Sequence, residues 1–560
     1  MDNYQIADQF SLLSKLMDIH GENSFKSKSY ASAAYTIEKL ESQLSTIPIE
    51  KIASINSIGS STSQKIIEII QTGKLISLEE MINKTPEGVI EMLNIKGIGP
   101  KKIHTIWKEM EIETVGELLY ACKENRLKLY KGFGEKTQQN VIETIEFYFK
   151  SKGSYLYAQV ELIVPEIESF LFKIFNTQKI ALTGAFKRQL EIIDQLEFLI
   201  ELDIATIEQD LSQVEGFTLK EKETTYLLYS TLLGIDVKIY AVNNINFIEA
   251  SIRLSSSDEF WQEIQKRRSL IEDIPDTVDV FFQQIALATI PPYLREQPET
   301  IEQFSKNESR KPIEIEDIRG IIHSHSNWSD GSNTIEEMAN AAINKGFEYL
   351  VISDHSKSAF YAQGLPIDKI IAQHQYIDDL NKKIKPFKIY KSIESDILND
   401  GNLDYPNAIL STFDLVIASI HSNLKMSEEK AMMRLIKAIE NPYTTILGHM
   451  TGRLLLSRPG YPVDHKKIID ACAANKVVIE LNAHPSRLDI DWRHISYALE
   501  RDVIISINPD AHQIEGMNDV KYGVKVAQKA MLPKERNLSS FNLGKFEAYI
   551  SSTKKEKLGK

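Results

Sequence analysis

Cysteine is almost absent: Cys122 and Cys472 are the only two in 560 residues, and they lie far apart. That excludes a disulfide framework and a thiolate zinc finger, and it fits a reducing compartment, so a cytoplasmic protein is expected. No apolar run approaches the ~18–20 residues that a membrane helix needs, and none lies near the N-terminus as a signal sequence would. Positive charge is not in excess either: 65 Lys and Arg against 78 Asp and Glu leave a net −13. A coat for nucleic acid built on bulk charge is thereby disfavoured, while a local grip on phosphates through backbone amides remains open. The composition, 42 % hydrophobic and 26 % charged, excludes wholesale disorder. At about 100–200 residues per domain, the length implies three or four domains. Histidine is what stands out, because ten of the twelve fall between His323 and His512.

Residues 1–150 read as short helices broken by glycine turns, with amphipathic stretches such as Ile37 to Leu44 and Val89 to Leu93. From about Leu156 the texture becomes α+β, with strands expected at Lys179–Thr183, Leu196–Ile200 and Gly234–Ile239. Pro291-Pro292 and the polar run Glu296 to Lys311 read as a linker. Beyond Ile318, apolar strands alternate with helical stretches, as repeated βα units do in a barrel whose site gathers at the strand C-terminal ends. Lys554 to Lys560 reads as a frayed basic tail.

Each of those late strands leads into a ligand-type residue. His323-Ser324-His325 with Asp330, then Asp354-His355, Glu394, His421, His449, and Asp510-Ala511-His512 follow in turn. Strand alternation puts both histidines of an H-x-H pair, and both members of Asp510 and His512, on one face. Imidazole and carboxylate together suit zinc, manganese or iron better than magnesium or calcium. One histidine after a strand is most often a core or surface residue. Six strand ends carrying them at barrel spacing are not a chance pattern, and nine donors would serve two or three ions. His374, His465, His484 and His494 read as surface or supporting residues.

On these residues, ~318–545 resembles a PHP (polymerase and histidinol phosphatase) domain as carried by bacterial family X DNA polymerases. The resemblance implies a distorted (β/α)7 barrel with two to three divalent ions, Mn or Zn. His323, His325, Glu394 and Asp510 would hold one ion. Glu394, bridging, with His421 and His449 would hold a second, and Asp330, His355 and His512 a third. In the family a hydroxide between metals attacks the terminal phosphodiester of DNA, with no separate catalytic side chain. Ile321-Ile322 departs from the Asp-Leu pair common before the H-x-H, so the spare nitrogen of His323 needs another partner. Arg453 and Arg458 are candidates to hold the substrate phosphate.

Lys96-Gly97-Ile98-Gly99-Pro100-Lys101-Lys102 has the form of a helix-hairpin-helix turn, with glycines for the tight turn and amides at the next helix start aimed at a phosphate. Gly132-Phe133-Gly134-Glu135-Lys136 repeats it, and Ile58-Gly59-Ser60-Ser61 is a weaker copy with Ser57 in place of the first glycine. One such turn is compatible with an ordinary helix cap; three indicate DNA binding that reads backbone, not sequence. The region is similar to the lyase-like and fingers parts of family X polymerases, and Lys65 falls where the family's lyases keep a Schiff-base lysine, although Ser61 at a position often basic in lyases favours a surface helix lysine.

Gly184-Ala185-Phe186-Lys187-Arg188, Glu191 and Asp236 resemble the family X palm, and Ile290 to Glu296 the end of its thumb. The family's Asp-x-Asp is here Gln195-Leu196-Glu197, with Asp236 as third position, and Asp194 is one residue out of register. An uncharged Gln195 and a longer Glu197 leave Mg²⁺ short of anionic oxygens, so this core is expected not to polymerise efficiently.

The expected organisation is therefore multidomain. It comprises an all-α lyase-like region (1–84), helix-hairpin-helix fingers (85–150), a degenerate α+β palm (151–240), a thumb (241–300), a linker (301–316) and a PHP barrel (317–560). The expected function is metal-dependent 3′→5′ exonuclease or phosphoesterase action in DNA repair, on gapped, nicked or 3′-ended duplex, by a monomer. Three alternatives stand beside it: a gap-filling polymerase with PHP proofreading, a non-catalytic DNA scaffold, and a small-molecule phosphatase.

Overall fold

The computed structural model describes every residue except 1–2, 39, 41, 56–57, 96, 151–152, 176, 178, 243–245, 269–273, 306–310 and 560. Lys96 and Ser57 of the hairpin motifs thus lie outside the described residues. The chain divides into two compact units, Met1–Tyr148 and Phe149–Lys560.

The first unit is helical. Asn3–His20 packs on Ser24–Glu38 through Phe10, Leu13, Tyr30 and Ile37, all buried. The helix expected over Ile37 to Leu44 is divided: Ile37 closes Ser24–Glu38, and Leu44 opens a 3₁₀ turn at Leu44–Thr46. Val115–Lys123 starts at a capping box in which Thr114 and Glu117 satisfy each other's backbone amides.

The second unit begins with a five-stranded sheet: β1 (Ile180–Thr183), β2 (Gln195–Ile200), β3 (Phe217–Lys222), β4 (Tyr226–Thr231) and β5 (Asp236–Ala241), ordered β1-β2-β5-β4-β3. Leu196, Phe198, Val237 and Ile239 alternate into its core, which leaves Gln195, Glu197, Asp236 and Lys238 on the opposite face. A second core follows, around Phe260, Trp261, Phe281 and Phe282. The linker expected over 301–316 is partly structured, because Glu299–Ser305 is helical and Ile301 is buried in that core. Two apolar residues, Ile301 and the partly buried Phe304, anchor the helix, too few to give a periodic signal.

The remainder is a seven-stranded, all-parallel barrel: β6 (Gly320–Ser324), β7 (Tyr349–Ile352), β8 (Lys388–Asp396), β9 (Leu415–Ser419), β10 (Ile446–Leu447), β11 (Val478–Asn482) and β12 (Ile505–Asn508), ordered as in the sequence. Its ends meet where the His325 amide donates to Ala511 O (2.8 Å) and the Ala511 amide to His323 O (3.2 Å). These strands are buried on both faces, as parallel strands inside a ring of helices must be. The basic tail is not frayed over its described residues, 554–559. Leu543–Lys557 is a helix whose Lys554 donates to Ser411 O and Phe413 O, and whose Lys557 donates to Thr444 O. The lysines serve as donors to backbone carbonyls, a role that composition does not reveal. Among the described residues, no helix is long and apolar enough to cross a membrane, and both cysteines are buried and free.

Candidate metal centre and DNA-contacting turns

The nine residues His323, His325, Asp330, His355, Glu394, His421, His449, Asp510 and His512 come together at the C-terminal ends of the barrel strands. Glu394, on β8, stands in the middle. Its Oε1 lies 3.4, 3.1 and 3.0 Å from Nε2 of His323, His421 and His449, and its Oε2 lies 3.0 Å from His355 Nδ1. Asp510 Oδ1 lies 3.3 Å from His323 Nε2 and 3.2 Å from His325 Nε2. Asp330 reaches His355 and His512, each at 3.5 Å. Three ligand groupings result: His325, Asp330, His355 and His512; His323, His325 and Asp510; His355, Glu394 and His421.

His323 and His325 converge by a route other than the simple alternation expected. The β6–β7 register shifts between Ile321 and Ser324, and His323 sits at φ +64°. Asp510 takes φ +53° just past β12. Two non-glycine residues in the left-handed region, at the first and last barrel strands where these meet, are local strain of the kind found where side chains are aimed at a site.

The site has the chemistry of a cation site. His323 Nε2, His325 Nδ1 and both ring nitrogens of His355 are buried without a well-oriented hydrogen bond, although carboxylate oxygens stand within 4 Å. Such groups are expected to be satisfied, and a divalent cation satisfies them together. Burial works against the charged forms of Glu394, Asp330 and Asp510, yet the surrounding imidazoles hold all three well below the usual carboxylate range. His325 is pushed down to about 4 by burial and by His512 and His355, so it is a neutral donor near pH 7.

Two supporting carboxylates escaped the sequence reading. Glu480, on β11 and fully buried, has Oε1 at 2.5 Å from His323 Nδ1 and also accepts from the His449 amide and Asn508 Nδ2, both at 2.8 Å. It is the partner that the Ile321-Ile322 departure calls for. Asp396 pairs with His421 Nδ1. Both carboxylates fix ring orientation and leave Nε2 turned toward Glu394. Asp354 accepts from the Ser326 amide, the Ser326 and Ser329 hydroxyls and Gln373 Nε2, which ties the loop after β6 to β7.

Arg453 is not placed as a phosphate holder. Its guanidinium donates to Arg487 O (2.9 Å), Asp491 Oδ2 (2.7 Å) and Leu488 O, and so locks the loop after β11. Arg458 donates to Gly452 O. The guanidinium that borders the cluster is Arg487, buried, with Nε 3.8 Å from Asp510 Oδ2. His465 and His494 stack on each other, while His374 packs edge-on against Phe413.

In the first unit, Gly97 and Gly132 have φ of +93° and +94°, the conformation that the tight turn needs. Gly99 and Gly59 sit as extended N-caps of the helices Pro100–His104 and Ser60–Thr72, and Gly134 precedes Glu135–Lys150. A Cβ at Gly59, Gly97, Gly99, Gly132 or Gly134 would meet nothing within 4 Å, so these faces are open to an approaching backbone. Lys101 and Lys136 are exposed, and Lys102 Nζ lies 5.5 Å from the Phe133 ring of the second turn. Lys65 is half-buried and donates to Ser77 Oγ at 2.8 Å.

On the five-stranded sheet, Gln195 of β2 lies directly opposite Asp236 of β5. Asp236 Oδ2 is 2.6 Å from Lys220 Nζ. Glu197 accepts from Tyr240 Oη at 3.2 Å and lies against Gly184, where a Cβ would come within 2.5 Å of its carboxyl carbon. Asp194 accepts from Ser154 Oγ at 2.7 Å.

Comparison with known proteins agrees with both parts. Residues 1–75 match a helix-hairpin-helix domain, 89–146 a SAM-like helix-hairpin-helix tandem, and 322–484 a PHP domain. The DNA polymerase/3′-5′ exonuclease PolX of Bacillus subtilis (strain 168) is 31 % identical over 95 % of this chain and 96 % of its own length. Probable phosphatases of Thermoanaerobacter sp. (strain X514) and Vibrio parahaemolyticus are 29 % and 28 % identical. They cover 42 % and 40 % of this chain, and 96 % and 90 % of their own lengths.

Proposed function

Because the chain belongs to the PHP-bearing bacterial family X polymerases, and so is an enzyme acting on DNA, we propose that its activity is metal-dependent 3′→5′ exonuclease or phosphoesterase cleavage at the barrel. What carries the reading is the convergence of nine ligand-type side chains, eight of them buried, with Glu394 at their centre. Two to three divalent ions, Mn or Zn, would supply an activated water and neutralise charge at phosphorus. The protein's part is to hold those ions at fixed spacing. Glu394 lends one oxygen to each side of the cluster, Glu480 and Asp396 clamp His323 and His421, and Arg487 sets positive charge beside Asp510. In this reading 1–84 is lyase-like, 85–150 forms the fingers, 151–300 is a palm and thumb without nucleotidyl transfer, and a single copy acts on gapped, nicked or 3′-ended duplex.

A 5′-labelled gapped duplex incubated with Mn²⁺ is expected to shorten one nucleotide at a time from its 3′ end. A primer left intact over a full titration of Mn²⁺ and Zn²⁺ overturns the proposal.

The hairpin turns are assigned the grip on DNA. Lys101→Ala with Lys102→Ala is expected to weaken binding alike for all sequences and to lower the slope of log affinity against log salt by about 2. Anisotropy titrations across a salt series measure this, and an unchanged slope would place the DNA elsewhere.

A further inference from the structure

We propose that Arg434, on an outer helix of the barrel, is a positioning residue for the metal cluster: it holds together the chain segments that follow Asp396 and His421, and so keeps the His421 ring turned toward Glu394. The inference rests on the reading of the cluster as the cleavage site and names a residue on which that site depends.

Glu428–Ile439 is the helix between β9 and β10, and Ala431, Arg434, Leu435, Ala438 and Ile439 form its buried stripe at helical spacing. An arginine in that stripe is unusual, because arginine is almost never fully buried unless paired. Arg434 is 0 % exposed. Its donors go to backbone: Nη2 donates to Ile397 O (2.5 Å), Nε to Leu398 O (3.1 Å) and Nη1 to Ser422 O (3.1 Å). An apolar side chain would fill the stripe without the cost of taking a charge out of water. The reason for a guanidinium is therefore what it joins.

Ile397 and Leu398 follow Asp396 at the end of β8, and Ser422 follows His421 just past β9. Asp396 pairs with His421 Nδ1, while His421 Nε2 lies 3.1 Å from Glu394 Oε1. One planar group thus spans both segments, within two residues of the pair that sets the ring. The segment after β8 also rests on the same helix, where Lys437 Nζ donates to Asp400 O (2.9 Å) and a Cβ at Gly401 would lie 2.9 Å from Lys437 Cβ. A shift of either segment lengthens the Asp396–His421 hydrogen bond and frees the ring to turn. Ligand constellations tolerate only about 0.5 Å of such looseness, and groups that orient a ligating histidine commonly change cation affinity by ~10–100-fold.

Co²⁺ titrations of the full-length protein, followed by the visible absorption of the bound ion, test this. Wild type and His421→Ala together identify the equivalent of Co²⁺ that depends on His421. Arg434→Met, which keeps a long apolar stem, is expected to raise the Kd of that equivalent by about tenfold or more and to leave the other equivalents unchanged. Arg434→Lys keeps the charge, but a compact ammonium cannot reproduce three donors in one plane. It should weaken the same equivalent, and it carries the test if a thermal melt shows that Arg434→Met does not fold. In a His421→Ala background neither substitution should weaken Co²⁺ binding further, because the ring that Arg434 positions is gone. A residue that only stabilises the barrel behaves otherwise, with equal loss at every equivalent or the same loss with and without His421. Either result overturns the proposal, and so does unchanged affinity in the folded variants, loss of folding in both, or a wild type without a His421-dependent equivalent. On a 5′-labelled strand, the Mn²⁺ concentration for half-maximal nucleotide release should rise by the same factor. Wild type that binds Co²⁺ through His421 yet releases no nucleotides defeats the cleavage reading and leaves the role of Arg434 standing.

Discussion

Glu394→Gln is expected to lose Mn²⁺-dependent nucleotide release by a factor of 10³ or more, about 4 kcal/mol of transition-state stabilisation. The substitution keeps volume and shape, so packing is not the variable. It replaces one carboxylate oxygen by an amide nitrogen, which cannot ligate a cation, in a residue whose two oxygens lie within 3.4 Å of His323, His421, His449 and His355. The other two cluster carboxylates stand elsewhere in it, Asp510 at His323 and His325 and Asp330 at His355 and His512. The change also removes the negative charge at the centre of a ring of imidazoles, so cations should bind more weakly as well. Release followed on a 5′-labelled duplex, alongside a thermal melt to verify folding, measures the effect. A folded variant that releases nucleotides within tenfold of wild type would remove the cluster from the chemistry.

The histidines could be found from sequence because they are rare elsewhere in the chain and each follows an apolar strand. Glu480 could not be found that way. It sits inside Val477-Val478-Ile479-Glu480-Leu481, where a lone acid in a strand reads as the solvent side of a half-buried sheet. In a parallel barrel that side is the interior, and the acid survives there because His323, the His449 amide and Asn508 satisfy it. Arg453 misled for the opposite reason: an arginine in a glycine-containing loop near a ligand looks like an anion clamp, and only the fold reveals that backbone carbonyls 34 and 35 residues away take its donors. The left-handed turn at His323 was equally out of reach, since no pattern of residue types distinguishes a bulge from regular alternation.

With gapped duplex, Mg²⁺ and all four deoxynucleotides, the Glu394→Gln protein is expected to leave the primer unchanged, neither shortened nor extended. The first half follows from the barrel and the second from the five-stranded sheet. Two-ion nucleotidyl transfer needs carboxylates facing the same ions from neighbouring strands. On this sheet, the position opposite Asp236 is the neutral Gln195. Asp236 itself already holds an ammonium, Lys220 Nζ at 2.6 Å. Hydrated Mg²⁺ would have to displace that lysine with one carboxylate fewer to hold it. Glu197 is held against Gly184 and the Tyr240 hydroxyl, so its extra methylene cannot simply fold back to recover the geometry of an aspartate. Asp236→Ala added to Glu394→Gln should therefore change nothing. Extension by the Glu394→Gln protein that disappears in the double variant would establish a working polymerase, with Gln195 tolerated and the barrel acting as its proofreader.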